Sequence, residues 1–408
     1  MNSSVSSNPA KAVARYYIGL MSGTSADGID LALVDFANPD NKAQLVASYY
    51  QAYSEALALK ITSLYQSGDN EIDRAFHLDI ELAQLFSQAI SAFLQQENLT
   101  AADIIAIGNH GQTIRHRPCG EELNGKNAFT LQIGCSQTLA TLSSIRVIGQ
   151  FRRKDMALGG QGAPLVPIFH QQLFKSNAVS VFIVNIGGIA NITFLPEVAE
   201  EIAQKNKVLG FDTGPGNALL DDWFSKHHPE SDVKFDKSGA WAAKGKVDEG
   251  LLTWLMHDQY IQEKAPKSTG REYFHLSWLE QQLVSYDSSL SQEVTQTIKP
   301  VDVQATLLAF TVQTIHDDIH ALATQGKIYL CGGGAHNIAL VNLLKQKFTS
   351  SITKFAVNTM QAVGIDGDQL EAMAFAWLAY AFDHSLNSNM PAVTGARASC
   401  TLGTEFLP

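Results

Sequence analysis

Two stretches of the chain share one pattern: a run of strand-forming residues, a turn of small polar residues, and a second such run. In the first, Tyr16-Tyr17-Ile18-Gly19-Leu20-Met21 and Ile29-Asp30-Leu31-Ala32-Leu33-Val34 flank Ser22-Gly23-Thr24-Ser25-Ala26-Asp27-Gly28. In the second, Val179 to Val184 and Ile189 to Phe194 flank Asn185-Ile186-Gly187-Gly188. Both read as β-hairpins. Each is followed by a short apolar strand with a polar end: Ile104 to Ile107 runs into Gly108 to Thr113, and Val208 to Phe211 runs into Asp212 to Asn217. The order hairpin, later strand, polar strand end therefore occurs twice. It predicts two related α/β lobes, duplicated in architecture and not residue by residue.

Apolar residues at three- and four-residue steps predict helices over Asp79–Gln96, Val303–His320 and about Ile338–Phe348. A last long helix is expected from Asp366 to about Tyr380, with Asp366 and Asp368 suited to its N-terminus. Thr130–Ile133, Ser144–Ile148 and Ile328–Leu330 read as further strands, and the last enters the glycine-rich Cys331-Gly332-Gly333-Gly334-Ala335-His336-Asn337. Gly120–Asn127 reads as a polar loop and residues 1–14 as a loose tail.

Composition narrows the function classes. At 408 residues, with 45% hydrophobic and 17% charged, this is an ordinary globular chain of two or three domains. The net charge, 29 − 40 = −11, argues against general binding to nucleic acid or anionic membranes. The four cysteines are scattered without a C-x-x-C pair, which fits a reducing compartment and indicates no zinc or redox centre. No apolar leader follows Met1 and no run is long enough to span a bilayer, so a cytoplasmic protein is expected.

The turns carry the chemistry. Hydroxyls of Ser22, Thr24 and Ser25, backbone N–H groups, and glycines 23 and 28 can cradle an anion. Asp27 and Asp30 beside a phosphate call for a metal or water between them. The same residues also suit a plain solvated hairpin turn. No G-x-x-x-x-G-K-[ST] loop and no protein-kinase signature set is present. Gly332 to Gly334 alone reads first as a tight strand-to-helix packing turn. Two phosphate loops plus an adenosine loop, however, resemble the parts of the actin/Hsp70/sugar-kinase superfamily.

Seven blocks resemble the anhydro-N-acetylmuramic acid kinases in that family's order: Gly19–Asp30, Gly108–His116, Gly159–Pro167, Asn185–Gly188, Gly210–Asn217, Pro266–Glu272 and Glu371–Leu378. The resemblance implies a two-lobed actin-like ATPase (ribonuclease H-like) α/β fold with a nucleotide/sugar cleft between the lobes. Residues 15–150 and about 366–408 would form lobe I, and 151–365 lobe II. It implies hydrolytic opening of the 1,6-anhydro ring of anhydro-N-acetylmuramic acid and phosphorylation of O6, with ATP and magnesium, in bacterial cell-wall recycling. Nucleic acid and membrane are not expected partners; a homodimer is, since the family's members are commonly dimers.

Residue by residue, the resemblance assigns nucleotide binding to Ser22, Gly23, Thr24, Ser25, Ala26, Asp27, Gly28, Ile29, Asp30, Asn185, Gly187, Gly188, Gly332, Gly333, Gly334 and Asn337. It assigns sugar binding to His110, Gln112, Arg152, Gly214, Gly216, Asn217 and Glu371, and leaves the metal ligands open. Asp212 would be the base that deprotonates the attacking water; the alternative is an Asp that caps the helix beginning near Asn217. His110 reads equally as a strand-end histidine, and Glu371 as a rim carboxylate. Arg152, Arg153, Lys154, Arg115 and Arg271 are candidates for the lactyl carboxylate. Gln150 stands where the family commonly has Asp, and the Gly120–Asn127 loop is longer than usual. The rivals are a non-catalytic ATP switch and an ordinary hexose or acyl kinase.

Overall fold

The computed structural model describes residues 14–37, 43–120, 127–174, 178–199, 207–265, 267–271, 273–290, 298–349 and 354–408. The expected tail, up to residue 13, and positions 121–126 of the polar loop lie outside the described residues. The chain forms two compact units, Met1–Leu173 with Gln369–Pro408, and Phe174–Asp368.

In the first unit, β1 (Tyr16–Ser22), β2 (Gly28–Asp35) and β3 (Gln44–Ala52) form an antiparallel meander. On the other side of β1, β4 (Ile104–Arg117) and β6 (Val147–Gly149) run parallel to it. β5 (Phe129–Ile133) pairs with the far half of β4, and the short strand Thr404–Phe406 closes the edge on β6. In sheet order this is β3-β2-β1-β4-β6. Side chains alternate across β1. Ile18 and Leu20 join the buried cluster with Leu82, Phe86 and Phe93 of the helix Glu71–Gln96. Gly19 faces the helix Leu370–Asp383, whose Ala372 carbonyl oxygen lies 1.7 Å from where a Cβ on Gly19 would sit.

The second unit repeats the plan. β7 (Val181–Ile186), β8 (Ile189–Leu195) and β9 (Leu209–Pro215) form the meander, and β10 (Gln325–Cys331) and β11 (Lys354–Thr359) run parallel to β7. The order β11-β10-β7-β8-β9 is that of the first sheet with the strands renumbered. The helix Pro300–Leu322 buries Val303, Leu307, Phe310 and Ile315 in this unit's core. The duplication expected from the hairpins is thus real at the level of topology, and each sheet has the ribonuclease H-like order.

Some expectations shift. β4 continues to Arg117 because β5 pairs with its second half, so His110 and Gln112 lie within a strand. The last helix begins at Leu370 with Gln369 before it, and Asp366 and Asp368 lie upstream, where the Asp366 carboxylate accepts from the Asp368 N–H. Residues 151–173 belong to the first unit, not the second. Phe151 packs on Phe375, Phe169 packs on Trp377, and buried Asp155 accepts from Asn389 Nδ2 (2.9 Å) and Thr394 Oγ1 (2.8 Å).

Gly19→Ala must push the C-terminal helix off the sheet. It is expected to destabilise the protein by more than about 3 kcal/mol in a denaturant titration. Gly68→Ala, which meets only the flexible end of Arg74 at 3.2 Å, should stay near the wild-type midpoint.

Candidate active site

The β1–β2 turn is braced from beneath. Ser22 Oγ lies 2.6 Å from Gln112 Oε1, 2.7 Å from Tyr53 Oη and 3.1 Å from the Gly28 carbonyl. Gln112 Nε2 donates to the Gly23 carbonyl at 2.9 Å. Ser22 and Gln112 are both fully buried. Their side chains therefore hold the turn from beneath, where the expectation had them bind ligand. Tyr65 and Tyr50 donate to the carbonyls of Thr24 (2.8 Å) and Asp27 (3.1 Å). Ala26 is buried in the left-handed region at φ 53°. Thr24, Ser25 and Asp27 stay exposed, with Ser25 Oγ donating to Asp27 Oδ1 at 2.8 Å.

Gly23 is the open glycine of this turn: the nearest atom to a Cβ there is Ser25 Oγ at 3.4 Å. Gly28 is a packing glycine, its Cβ position 2.6 Å from the Gln51 carbonyl oxygen.

The same unit holds His110, Arg152 and Glu371 together. Arg152 Nη2 lies 2.9 Å from His110 Nε2, and Nη1 donates to the Gly162 carbonyl at 2.9 Å. His110 is buried and rests on the Phe375 ring at 4.7 Å. Burial, then the Arg152 charge, hold its imidazole down to about 3, so it is neutral and accepts from Arg152 at Nε2. Burial lowers Arg152 to about 10, against the raising influence of Glu371. Glu371 is solvent-exposed but crowded by protein; that crowding raises its carboxyl, against the lowering pull of Arg152.

Three of the other candidate cations already have partners. Arg115 is ion-paired with Glu71 (2.6 Å), Arg271 with Asp222 (2.7 Å), and Lys154 donates to the Thr401 carbonyl (2.7 Å). Arg153 is exposed.

In the second unit Asp212 sits on β9 beside a β-bulge. Ala190 pairs with Gly214 but Asn191 with Asp212, so Thr213 is the extra residue. Such a bulge re-aims the neighbouring side chain. Asp212 Oδ2 accepts from Ser268 Oγ (2.9 Å) and the Thr269 N–H (3.0 Å). The following helix is Ala218–His227 and its N-cap is Asn217, so Asp212 is not a cap.

Around it, the β7–β8 turn is fastened to that helix: Gly216 N–H, Asn217 N–H and Ala218 N–H donate to the carbonyls of Gly188, Gly187 and Gly188 at 2.8–3.0 Å. Asn217 Nδ2 donates to the Ile186 carbonyl. These groups are used internally. Gly214 and Gly216 are buried packing positions, and a Cβ on Gly216 would lie 2.3 Å from the Gly187 oxygen. Gly332 and Gly334 are likewise packed, on Asn185 Oδ1 and Ile186. Gly187, Gly188 and Gly333 are open, with no neighbour nearer than 3.5 Å to a Cβ. Asn337 Oδ1 accepts from the Leu340 N–H and caps the helix Ile338–Thr349.

The family model for anhydro-N-acetylmuramic acid kinase matches residues 15–408. The chain belongs to the anhydro-N-acetylmuramic acid kinase family. It is 69% identical to the Colwellia psychrerythraea anhydro-N-acetylmuramic acid kinase over 402 residues, 98% of this chain and 99% of that one. It is 46% identical to the Shewanella oneidensis enzyme of the same name over 391 residues, 96% of this chain and 98% of that one. Among solved structures, the ADPNP-bound activator of the 2-hydroxyisocaproyl-CoA dehydratase from Clostridium difficile aligns over 90% of this chain and 95% of that one, with TM-score 0.38 and 14% identity.

As a member of the anhydro-N-acetylmuramic acid kinase family the chain is a kinase, and the ATP-switch reading falls. Residues that motif reading passed over include Tyr53 and Tyr65, which brace the first turn, and Ser268, Thr269 and Tyr260, which hold Asp212. The Pro266–Glu272 block contains Ser268 and Thr269, and no motif pointed to Tyr260.

His110 offers a pH test. The folded imidazole takes a proton near 3, the unfolded one near the ordinary 6.5. Between these values the unfolded chain binds a proton that the folded chain refuses. This contribution to stability is whole above pH 6.5 and is lost as pH falls. In His110→Gln the unfolding free energy should fall less steeply between pH 6.5 and 4, by about 1.4 kcal/mol per pH unit. Equal slopes in the two proteins would mean that the imidazole protonates normally.

Proposed function

We propose that this chain uses ATP to open the 1,6-anhydro ring of anhydro-N-acetylmuramic acid and phosphorylate the released O6, with Asp212 as the base. The activity is that of the family, phosphorylation of the anhydro sugar in peptidoglycan recycling. The observation that carries the assignment of the base is the Asp212 carboxylate, beside a bulge in the middle of β9 and oriented by two donors.

Water attacks the anomeric carbon as its proton passes to Asp212, and the bond from that carbon to O6 breaks. O6 then bonds to the γ-phosphorus, and the bond from that phosphorus to the bridging oxygen breaks, releasing ADP.

For the nucleotide, the open glycines supply the fit. At Gly23, Gly187, Gly188 and Gly333 a Cβ would meet its nearest protein atom at ordinary contact distance, 3.4–3.7 Å, so packing within the protein does not demand glycine there. Backbone N–H groups of the first turn, with the exposed hydroxyls of Thr24 and Ser25, would receive phosphate oxygens. Magnesium would neutralise phosphate charge; it keeps several waters and needs one or two carboxylates, which suits the exposed Asp27 with Asp30 close by in sequence. For the sugar, Arg152 is the cation for the lactyl carboxylate. Its hydrogen-bond partners, His110 and the Gly162 carbonyl, are neutral, and the charge acting on it is that of Glu371, which no hydrogen bond ties to it. Glu371 would accept from a sugar hydroxyl.

A cytoplasmic homodimer is the expected form. Among the described residues no helix is long and apolar enough to cross a membrane.

Incubation with ATP, magnesium and the anhydro sugar in oxygen-18 water should place heavy oxygen on the anomeric carbon and phosphate on O6. Phosphorylation without label would favour transfer to a free hydroxyl by an ordinary sugar kinase. Asp212→Asn should fold and bind ATP but lose turnover by about a thousandfold or more, the scale of a general base.

A further inference from the structure

The Lys267–Arg271 segment is laid along β9 as a strap. The Asp212 N–H donates to the Lys267 carbonyl at 3.0 Å, and Tyr260 Oη donates back to the Asp212 carbonyl at 2.7 Å. Lys267 pins the strap from inside. Its side chain is buried, donates to the Ile261 carbonyl at 3.2 Å, lies 5.1 Å from the Tyr260 ring centroid and stands 3.7 Å from Asp318 Oδ2. A buried ammonium held by a carbonyl, a ring face and a carboxylate is expensive to move. The next two residues then present a hydroxyl and an N–H to one oxygen of Asp212.

We infer that Ser268, with the Thr269 N–H, is a positioning element for the base: it fixes the plane of the Asp212 carboxylate and favours its ionised form. The inference rests on the reading of Asp212 as the base. Two donors on Oδ2 restrict rotation of the carboxylate about its last bond, and hydrogen bonds to the charged form keep it charged. A base whose proton-accepting oxygen is aimed in advance loses less on reaching the transition state. Ser268 is exposed, so its removal leaves no cavity and exposes no buried polar group.

The test is a mutant cycle on the full chain with ATP, magnesium and the anhydro sugar. Ser268→Ala is expected to keep its melting temperature and both KM values, to lose about tenfold in kcat, the scale of one hydrogen bond to a charged group, and to move the acid limb of the kcat/KM profile to higher pH. Ser268→Thr should restore rate and profile. In an Asp212→Asn background, Ser268→Ala should cost nothing further. An unchanged kcat in Ser268→Ala, or a raised KM with the acid limb unmoved, would overturn the inference and make Ser268 inert or a direct ligand contact. Near-normal turnover in Asp212→Asn alone would instead remove Asp212 as the base, so the two failures are distinct.

Discussion

The first unit depends on an approach that only glycine permits. Gly19 of β1 and Gly108 of β4 are register partners on adjacent parallel strands. Together they leave a flat patch without side chains. The backbone of the helix Leu370–Asp383 rests on it: Cβ atoms at the two glycines would lie 1.7 Å from the Ala372 oxygen and 2.0 Å from the Phe375 oxygen. The helix answers with its own small residues, Ala372, Ala376 and Ala379, so the layers meet backbone to backbone. Three functional elements leave from this patch. β1 reaches the β1–β2 turn three residues on, β4 reaches His110 two residues on, and the helix carries Glu371 in its first turn. A contact at backbone distance tolerates little drift, so it fixes these elements more tightly than side-chain packing of the same area.

The second unit uses glycine in the same way at a smaller scale. Gly216 lets the β7–β8 turn lie on the first turn of the helix Ala218–His227, and the helix's leading N–H groups then find partners in the turn's carbonyls. Helix N-termini often receive anions on such groups. Here Gly216, Asn217 and Ala218 have given theirs to protein, and the clear space lies instead at Gly187, Gly188 and Gly333. Glycines that look alike in a motif thus divide into those that let protein approach protein and those that leave room for something else.

That division marks the limit of what the sequence discloses. Hairpins, the long apolar helices and the duplicated order of elements were legible because burial imposes period 2 or 3.6 on a chain. β3 and β11 were not: their faces are only partly buried, and neither shows a clean alternation. The start of the last helix was misjudged because two aspartates suit an N-terminus wherever it falls, whereas the tertiary contact at Ala372 decides where it does fall. Ser22 and Gln112 have the chemistry of ligand-binding groups, but each other's company in a buried network uses it up.

Charge is arranged by a related economy. Arginines 115 and 271 are each matched by a carboxylate, Glu71 and Asp222. Arg152 is oriented by a neutral imidazole and a carbonyl, and Asp212 Oδ2 by a hydroxyl and an amide. Neutral partners fix direction without cancelling charge. A guanidinium already ion-paired would have to exchange one carboxylate for another to bind an anionic sugar, with little net gain. One held by neutral acceptors, as Arg152 is, has no hydrogen-bonded carboxylate to give up, although the charge of Glu371 offsets part of its gain. The low proton affinity of His110 comes first from its burial, and the Arg152 charge adds to it, because a protonated imidazole would repel that cation.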